Sequence, residues 1–305
     1  MIQTEPAYEY PNCVAIRNDD AELLITTDVG PRILRYRLLP DGENLFKTYE
    51  KDLGGQNEFE WKLRGGHRLW IAPEDNSLTY VPDNVAIPWE QEADLTATFL
   101  NPAAPPWSME KSLQVSLDSH GSRAVLVHQI TNRSEQALAI APWALTVMRP
   151  GGFMLTPQPP LGEHPRDLLP NRRWILWPYT DPGDPRWRYS EKFLGLRQEH
   201  SADVKPIKMG LGTEEGCAIY VHGNTVFYKS FDFDADATYP DFGCNFETFT
   251  DANMLEVESL GPLVSLEPEQ TVEHREEWKL MTLDDVPDFQ DDAGWSAVLE
   301  RLHTY

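Results

Sequence analysis

The feature that most constrains this chain is a succession of short apolar runs, each alternating with period two and each cut off by turn residues, from Cys13 to Leu280. Alternation of that period belongs to strands, and runs this short and this often interrupted belong to an antiparallel meander. NCVAIRN and AELLITTD flank Asp19-Asp20 and read as a hairpin; GPRILRYRLL and NLFKTYE follow as further strands around Asp41-Gly42. TATFL, SLQVSL, AVLVHQITN and ALAIAPWALTVM continue the pattern, the last ending at Pro150-Gly151-Gly152. CAIYVHGNTVFYKSF is a hairpin about Gly223-Asn224. Pro102, Pro105 and Pro106 mark a loop or a crossing between sheets. Only the end breaks the pattern. After Asp291-Asp292, the residues Trp295, Val298, Leu299 and Leu302 fall on one helical stripe, which suits a helix packed on the outside of a sheet. These signals predict an all-β fold, a large antiparallel β-sandwich over residues 1–305 as a single domain, with residues 285–305 as a C-terminal helical extension.

Within that pattern, NMLEVESLGPLVSLEPEQTVEHREEWKL (253–280) carries charge where a strand should be apolar. Alternation sets Met254, Glu256, Glu258 and Leu260 on one face and Leu255 and Val257 on the other. A carboxylate among apolar neighbours must be paired, solvated in a cleft or shifted in pKa, so this strand is the first place to look for a site. In the next strand Val272, His274, Glu276, Trp278 and Leu280 share a face. His274 there, and His128 in VLVHQITN, read as satisfied core histidines. His67 differs, because it follows Gly65-Gly66 and precedes Arg68 and Trp70, an imidazole, a cation and an indole presented beside a flexible backbone point. Arg32 shares its face with Leu34, Tyr36 and Leu38 and calls for a carboxylate partner. The irregular stretch 157–189 holds Trp174, Trp177, Tyr179 and Trp187 among turn residues, as anchors of a long loop or as a cleft wall.

Composition excludes several function classes. A net charge of −23 over 305 residues opposes binding to nucleic acid or an anionic membrane and favours a neutral ligand. Cys13, Cys217 and Cys244 form neither a disulfide framework nor a zinc cluster. With no basic, apolar leader at the start, the expected location is cytoplasmic. Phosphate-binding loops, His-Glu-x-x-His and serine-nucleophile elbows are all missing, so no cofactor and no metal is expected. Acids and aromatics remain, an inventory suited to sugar recognition: aromatic faces cover the apolar side of a pyranose while charged groups take its hydroxyls. The oligomeric state is not legible.

GPRILRYRL, GGHRLWIAPE and YPDFGCNFETFT running into MLEVESLGPLVSLEPEQTVEHREEWKL together resemble the galactose-mutarotase-like superfamily, and within it a group known as a domain of unknown function, DUF4380. The resemblance runs from about Cys13 to Leu280. It implies a supersandwich of two twisted antiparallel sheets with a sugar site on a concave face. In aldose mutarotases a late glutamate is the base toward the anomeric hydroxyl, a mid-chain histidine is the acid toward the ring oxygen, and an early arginine and histidine bind hydroxyls. Matched by motif, Glu256 takes the base position and Arg68 the arginine position, with His67 beside it. The acid is missing: after TNRSEQ the matching segment is Ala141-Pro142-Trp143-Ala144, and an indole cannot protonate a ring oxygen as an imidazolium does. His67, His164, Glu258 or Asp241 are the groups that could replace it. The expected ligand is a sugar or oligosaccharide, in a cleft lined by His67, Arg68, Trp70, Trp143, Asp241, Glu247, Glu256 and Glu258. Two function classes follow: a carbohydrate-recognition module, or an aldose 1-epimerase or related isomerase with Glu256 as base. A third reading has the glutamates paired with Arg68 and Arg32 in a structural network without a ligand.

Overall fold

In the computed structural model, which describes residues 1–103 and 108–304, the chain builds two antiparallel sheets packed face to face, with one C-terminal helix. Pro105 and Pro106 lie outside the described residues. Among the described residues the first sheet has eleven strands. Its order is Ile2–Ala7, Tyr10–Arg17, Ala21–Thr26, Arg32–Leu38, His67–Ala72, Leu138–Met148, Leu255–Leu260, Phe246–Thr250, Ile207–Gly212 and Arg173–Leu176, with Val264–Leu266 paired to the start of Leu138–Met148. The second has ten strands, and its centre is Cys217–His222, Thr225–Phe231, Thr271–Thr282, Ala124–Asn132 and Met109–Leu117. This is the sandwich expected from the alternation.

The inner faces meet in one core. Leu255, Val257, Met148, Met209 and Phe246 from the first sheet pack against Phe227, Trp278, Leu280, Leu126 and Tyr220 from the second. A bulge opposite Leu24 and Ile25 inserts one residue into the pairing of the Arg32–Leu38 strand. Ile33 and Tyr36 therefore both face the core, whereas strict alternation had put Leu34 with Tyr36; Leu34 instead packs outside with Leu24 and Val29. Arg32 stays on the outer side, wholly buried, and finds its carboxylate in Asp83 at 2.8 Å.

NLFKTYE departs from the expected strand. Phe46 and Thr48 make single bridges to Met148 and Gly65, and the backbone around Lys47 bonds alternately to Val147 and Gly66. The segment threads between two elements instead of pairing with one. Gly65 and Gly66 make this possible. Both have positive φ (87° and 68°), and a Cβ would sit 2.1 Å from the Lys47 carbonyl oxygen or 2.3 Å from that of Ile33.

The helix Asp292–Thr304 buries Trp295, Val298, Leu299 and Leu302 on the outer face of the ten-stranded sheet, against Leu155, Ile219, Val226 and Tyr228. Lys279, on the outer face of the Thr271–Thr282 strand, lies under the helix end. Its ammonium donates to the Leu302 carbonyl at 2.7 Å, a cation on the negative end of the helix. None of the described helices is long and apolar enough to cross a membrane.

Candidate functional site

The strand pairings bring the charged residues of three separate sequence motifs onto one patch, the outer face of the eleven-stranded sheet. Leu138–Met148 runs between His67–Ala72 and Leu255–Leu260, opposing Trp143 to Trp70, Leu145 to both Arg68 and Glu258, and Val147 to Glu256. The next strand opposes Glu247 to Glu258, and the one after it supplies Lys208 beside Phe249. Period two keeps all these side chains on the same side.

The contacts follow. Arg68 donates to Glu256 at 3.3 Å and lies over the Trp70 ring, 4.2 Å from its centroid. Lys208 reaches Glu247 at 2.7 Å and Glu258 at 3.1 Å, and its ammonium sits over the rings of Trp143 and Trp177 at 4.6 and 4.7 Å. The Trp143 indole N–H donates to Glu258 at 2.8 Å. Trp61 and Tyr80 pack on Trp70, extending the aromatic wall. Glu247 and Glu258 are fully buried and Glu256 is 7% exposed.

The electrostatics are those of three acids served by two cations. Burial, then the Glu258 charge, pushes the Glu256 carboxyl up to about 7, while Arg68 and Lys208 oppose the rise. Burial raises Glu247 further, to about 8, against the pull of Lys208. Lys208 moves upward as well: burial lowers it, but the Glu258 and Glu247 charges outweigh the burial. The two trends are compatible. One ammonium shared by two carboxylates is held firmly as a cation, while burial and the neighbouring carboxylate charge raise Glu247 and Glu256. Several buried polar atoms here have no hydrogen-bond partner among the described residues: Arg68 Nε and Nη1 and Glu258 Oε1.

The structure thus joins Arg68, Trp70, Trp143, Glu247, Glu256 and Glu258. It does not bring His67 to them. His67 and Arg68 are consecutive on a strand, so their side chains leave opposite faces, and the His67 ring is wholly buried between the sheets. Expecting both in one cleft read adjacency in sequence as adjacency in space. Asp241 lies in the turn Pro240–Gly243 with φ 50°, where its charge helps raise Glu247. His164 is exposed in the proline-rich segment. Of the irregular aromatics, Trp187 anchors the core, whereas Trp177 walls the site over Lys208 and Tyr179 stands half-exposed. Sequence reasoning missed Lys208. Its one signal was a lone cation in PIKMGLG, an otherwise apolar strand. A cavity of about 560 Å³ is not over the carboxylates; it lies beyond Trp61 and Tyr80, which form part of its wall with Ile71, Met109 and Lys111.

No family model matches the sequence, and no curated protein does. Solved structures do match in fold. A galactose mutarotase-like protein from Lactobacillus casei superposes over 88% of this chain and 100% of its own, at 11% identity and a TM-score of 0.60. A galactose mutarotase-like protein from Clostridium acetobutylicum covers 93% and 99%, at 11% identity and 0.52. A galactose mutarotase related enzyme from Lactobacillus acidophilus covers 90% and 99%, at 10% identity and 0.52. At these identities the likeness is one of fold: the chain has the galactose mutarotase-like sandwich.

Proposed function

We propose that the protein recognises a neutral sugar or oligosaccharide on the outer face of the eleven-stranded sheet, as one domain of residues 1–305 that groups with the DUF4380 proteins. The observation that carries this reading is the buried patch of acids beside two indoles packed edge to face. Glu256 and Arg68 offer an acceptor and a donor at one point, and the indoles of Trp70 and Trp143 lie beside them with ring centroids 5.2 Å apart. Sugar hydroxyls need such paired donors and acceptors, and the ring's C–H face needs an aromatic. An acidic or phosphorylated sugar is disfavoured by three glutamates facing two cations.

A second reading, aldose 1-epimerase or a related isomerase, is favoured by the two raised carboxyls. Glu256, poised near neutrality, suits a base at the anomeric hydroxyl, and Glu247, higher still, suits the acid that the missing histidine would have been. Glu256→Gln separates the readings. Titration with common aldoses by NMR is expected to show binding weakened about tenfold, the loss of a hydrogen bond to a charged acceptor. Polarimetry on freshly dissolved α-anomers adds the kinetic arm. If the wild type accelerates anomerisation, the variant should lose about 10²–10⁴-fold in rate. Binding without acceleration leaves recognition alone, and unchanged binding and rate in the variant would remove Glu256 from the site.

A further inference from the structure

On the opposite side of the same strands, between the sheets, lies a second polar cluster that the sugar site does not use. His67 Nε2 and His128 Nε2 are 3.1 Å apart, and each lies 3.6 Å from Glu276 Oε2. All three residues are buried to 0% exposure. A triangle with sides of 3.1, 3.6 and 3.6 Å has its centre about 2.0 Å from each corner, the bond length of zinc to imidazole nitrogen or carboxylate oxygen.

The surroundings hold the donors in place as ligand shells do. His67 Nδ1 lies 2.9 Å from Thr146 Oγ1, so an N–H there fixes the tautomer that leaves the Nε2 lone pair pointing at the centre. The His67 ring meets Trp278 edge-on at 4.6 Å, and the Trp278 indole donates to Glu276 Oε2 at 3.0 Å. The other carboxylate oxygen is bound by Lys229 at 2.7 Å and by the Ser259 hydroxyl. His128 Nδ1 has no partner among the described residues, and His128 lines a cavity of about 20 Å³, room for one water.

We infer that His67, His128 and Glu276 form a binding site for a divalent transition-metal ion, zinc being the ion their two imidazoles and one carboxylate suit, located in the sandwich core behind the sugar site. The ion would tie the His67–Ala72 strand of one sheet to the Ala124–Asn132 and Thr271–Thr282 strands of the other. This site is independent of the sugar reading.

The test uses the full chain, unfolded with chelator, refolded with excess zinc chloride, desalted and analysed for metal. About one zinc per chain should remain, its affinity falling roughly 10–100-fold in Thr146→Val through loss of the His67 partner, and retention being lost in His128→Gln. The exposed His120→Gln should retain the metal. X-ray absorption on the zinc-loaded wild type needs no variant to fold; it should report imidazole nitrogens and an oxygen at about 2.0–2.2 Å. Folded wild-type protein that keeps no zinc, full retention in a folded His128→Gln, or a zinc shell without imidazole would each overturn the site.

Discussion

Replacing Lys229 with methionine will destabilise the metal-free protein by about 3–5 kcal/mol, the cost of leaving a buried carboxylate without its cation. Lys229 is wholly buried on the inner face of the ten-stranded sheet. Its ammonium reaches Glu276 at 2.7 Å and spans the sandwich to the carbonyls of Ala144 and Val257, at 3.0 and 3.1 Å. Burial alone would raise the Glu276 carboxyl; the Lys229 charge, with His67 and His128, instead holds it well below the usual carboxylate range. Methionine fills a similar volume but returns none of that charge. Two carbonyls on the opposite sheet lose a donor as well. Lys229→Met with Glu276→Gln should recover most of the loss, since no bare charge is then buried. Urea unfolding at neutral pH with chelator measures both. A single variant within about 1 kcal/mol of wild type would mean that the ion pair does not decide the stability of the core.

Stability will also fall as pH rises from about 4.5 to about 8, by an amount on the order of a few kcal/mol, because of Glu256 and Glu247. Their folded pKa values, about 7 and about 8, lie above the ordinary carboxylate value. The folded state therefore binds protons more tightly than the unfolded one. Stability from this source is fully present below about pH 4.5 and is lost as pH rises through the folded pKa values. Glu276, Glu22 and Glu5, lowered in the fold, act oppositely on the acid side. The groups facing the raised pair are Arg68, Lys208, Glu258 and, toward Glu247, Asp241. Chain-wide repulsion at a net charge of −23 adds to the slope, so a control is needed. Glu247→Gln mimics the protonated acid; thermal unfolding across that range should show a flatter dependence, with the variant more stable than wild type above about pH 8. An unchanged slope would mean that Glu247 ionises normally.

Much of the fold was legible in local pattern. Hairpins about Asp19-Asp20 and Gly223-Asn224 and the stripe Trp295–Leu302 formed as read, because turn chemistry and periodicity are properties of neighbours in the chain. The bulge at Leu34 was not legible, since one inserted residue leaves no mark on composition, yet it exchanged the places of Ile33 and Leu34.

The candidate site divides the same way. Sequence by itself placed Glu256 and Glu258 on one strand face and marked Arg68 and Trp70 as presented residues. The resemblance also put Glu247 in the cleft; only the tertiary structure decided that Lys208 joins them, because register across three strands fixes which side chains meet. It also separated His67 from Arg68, turning one residue of a pair outward to the acids and the other inward to His128 and Glu276. A strand's alternation is written in sequence; which of its two faces meets the core is set by the second sheet.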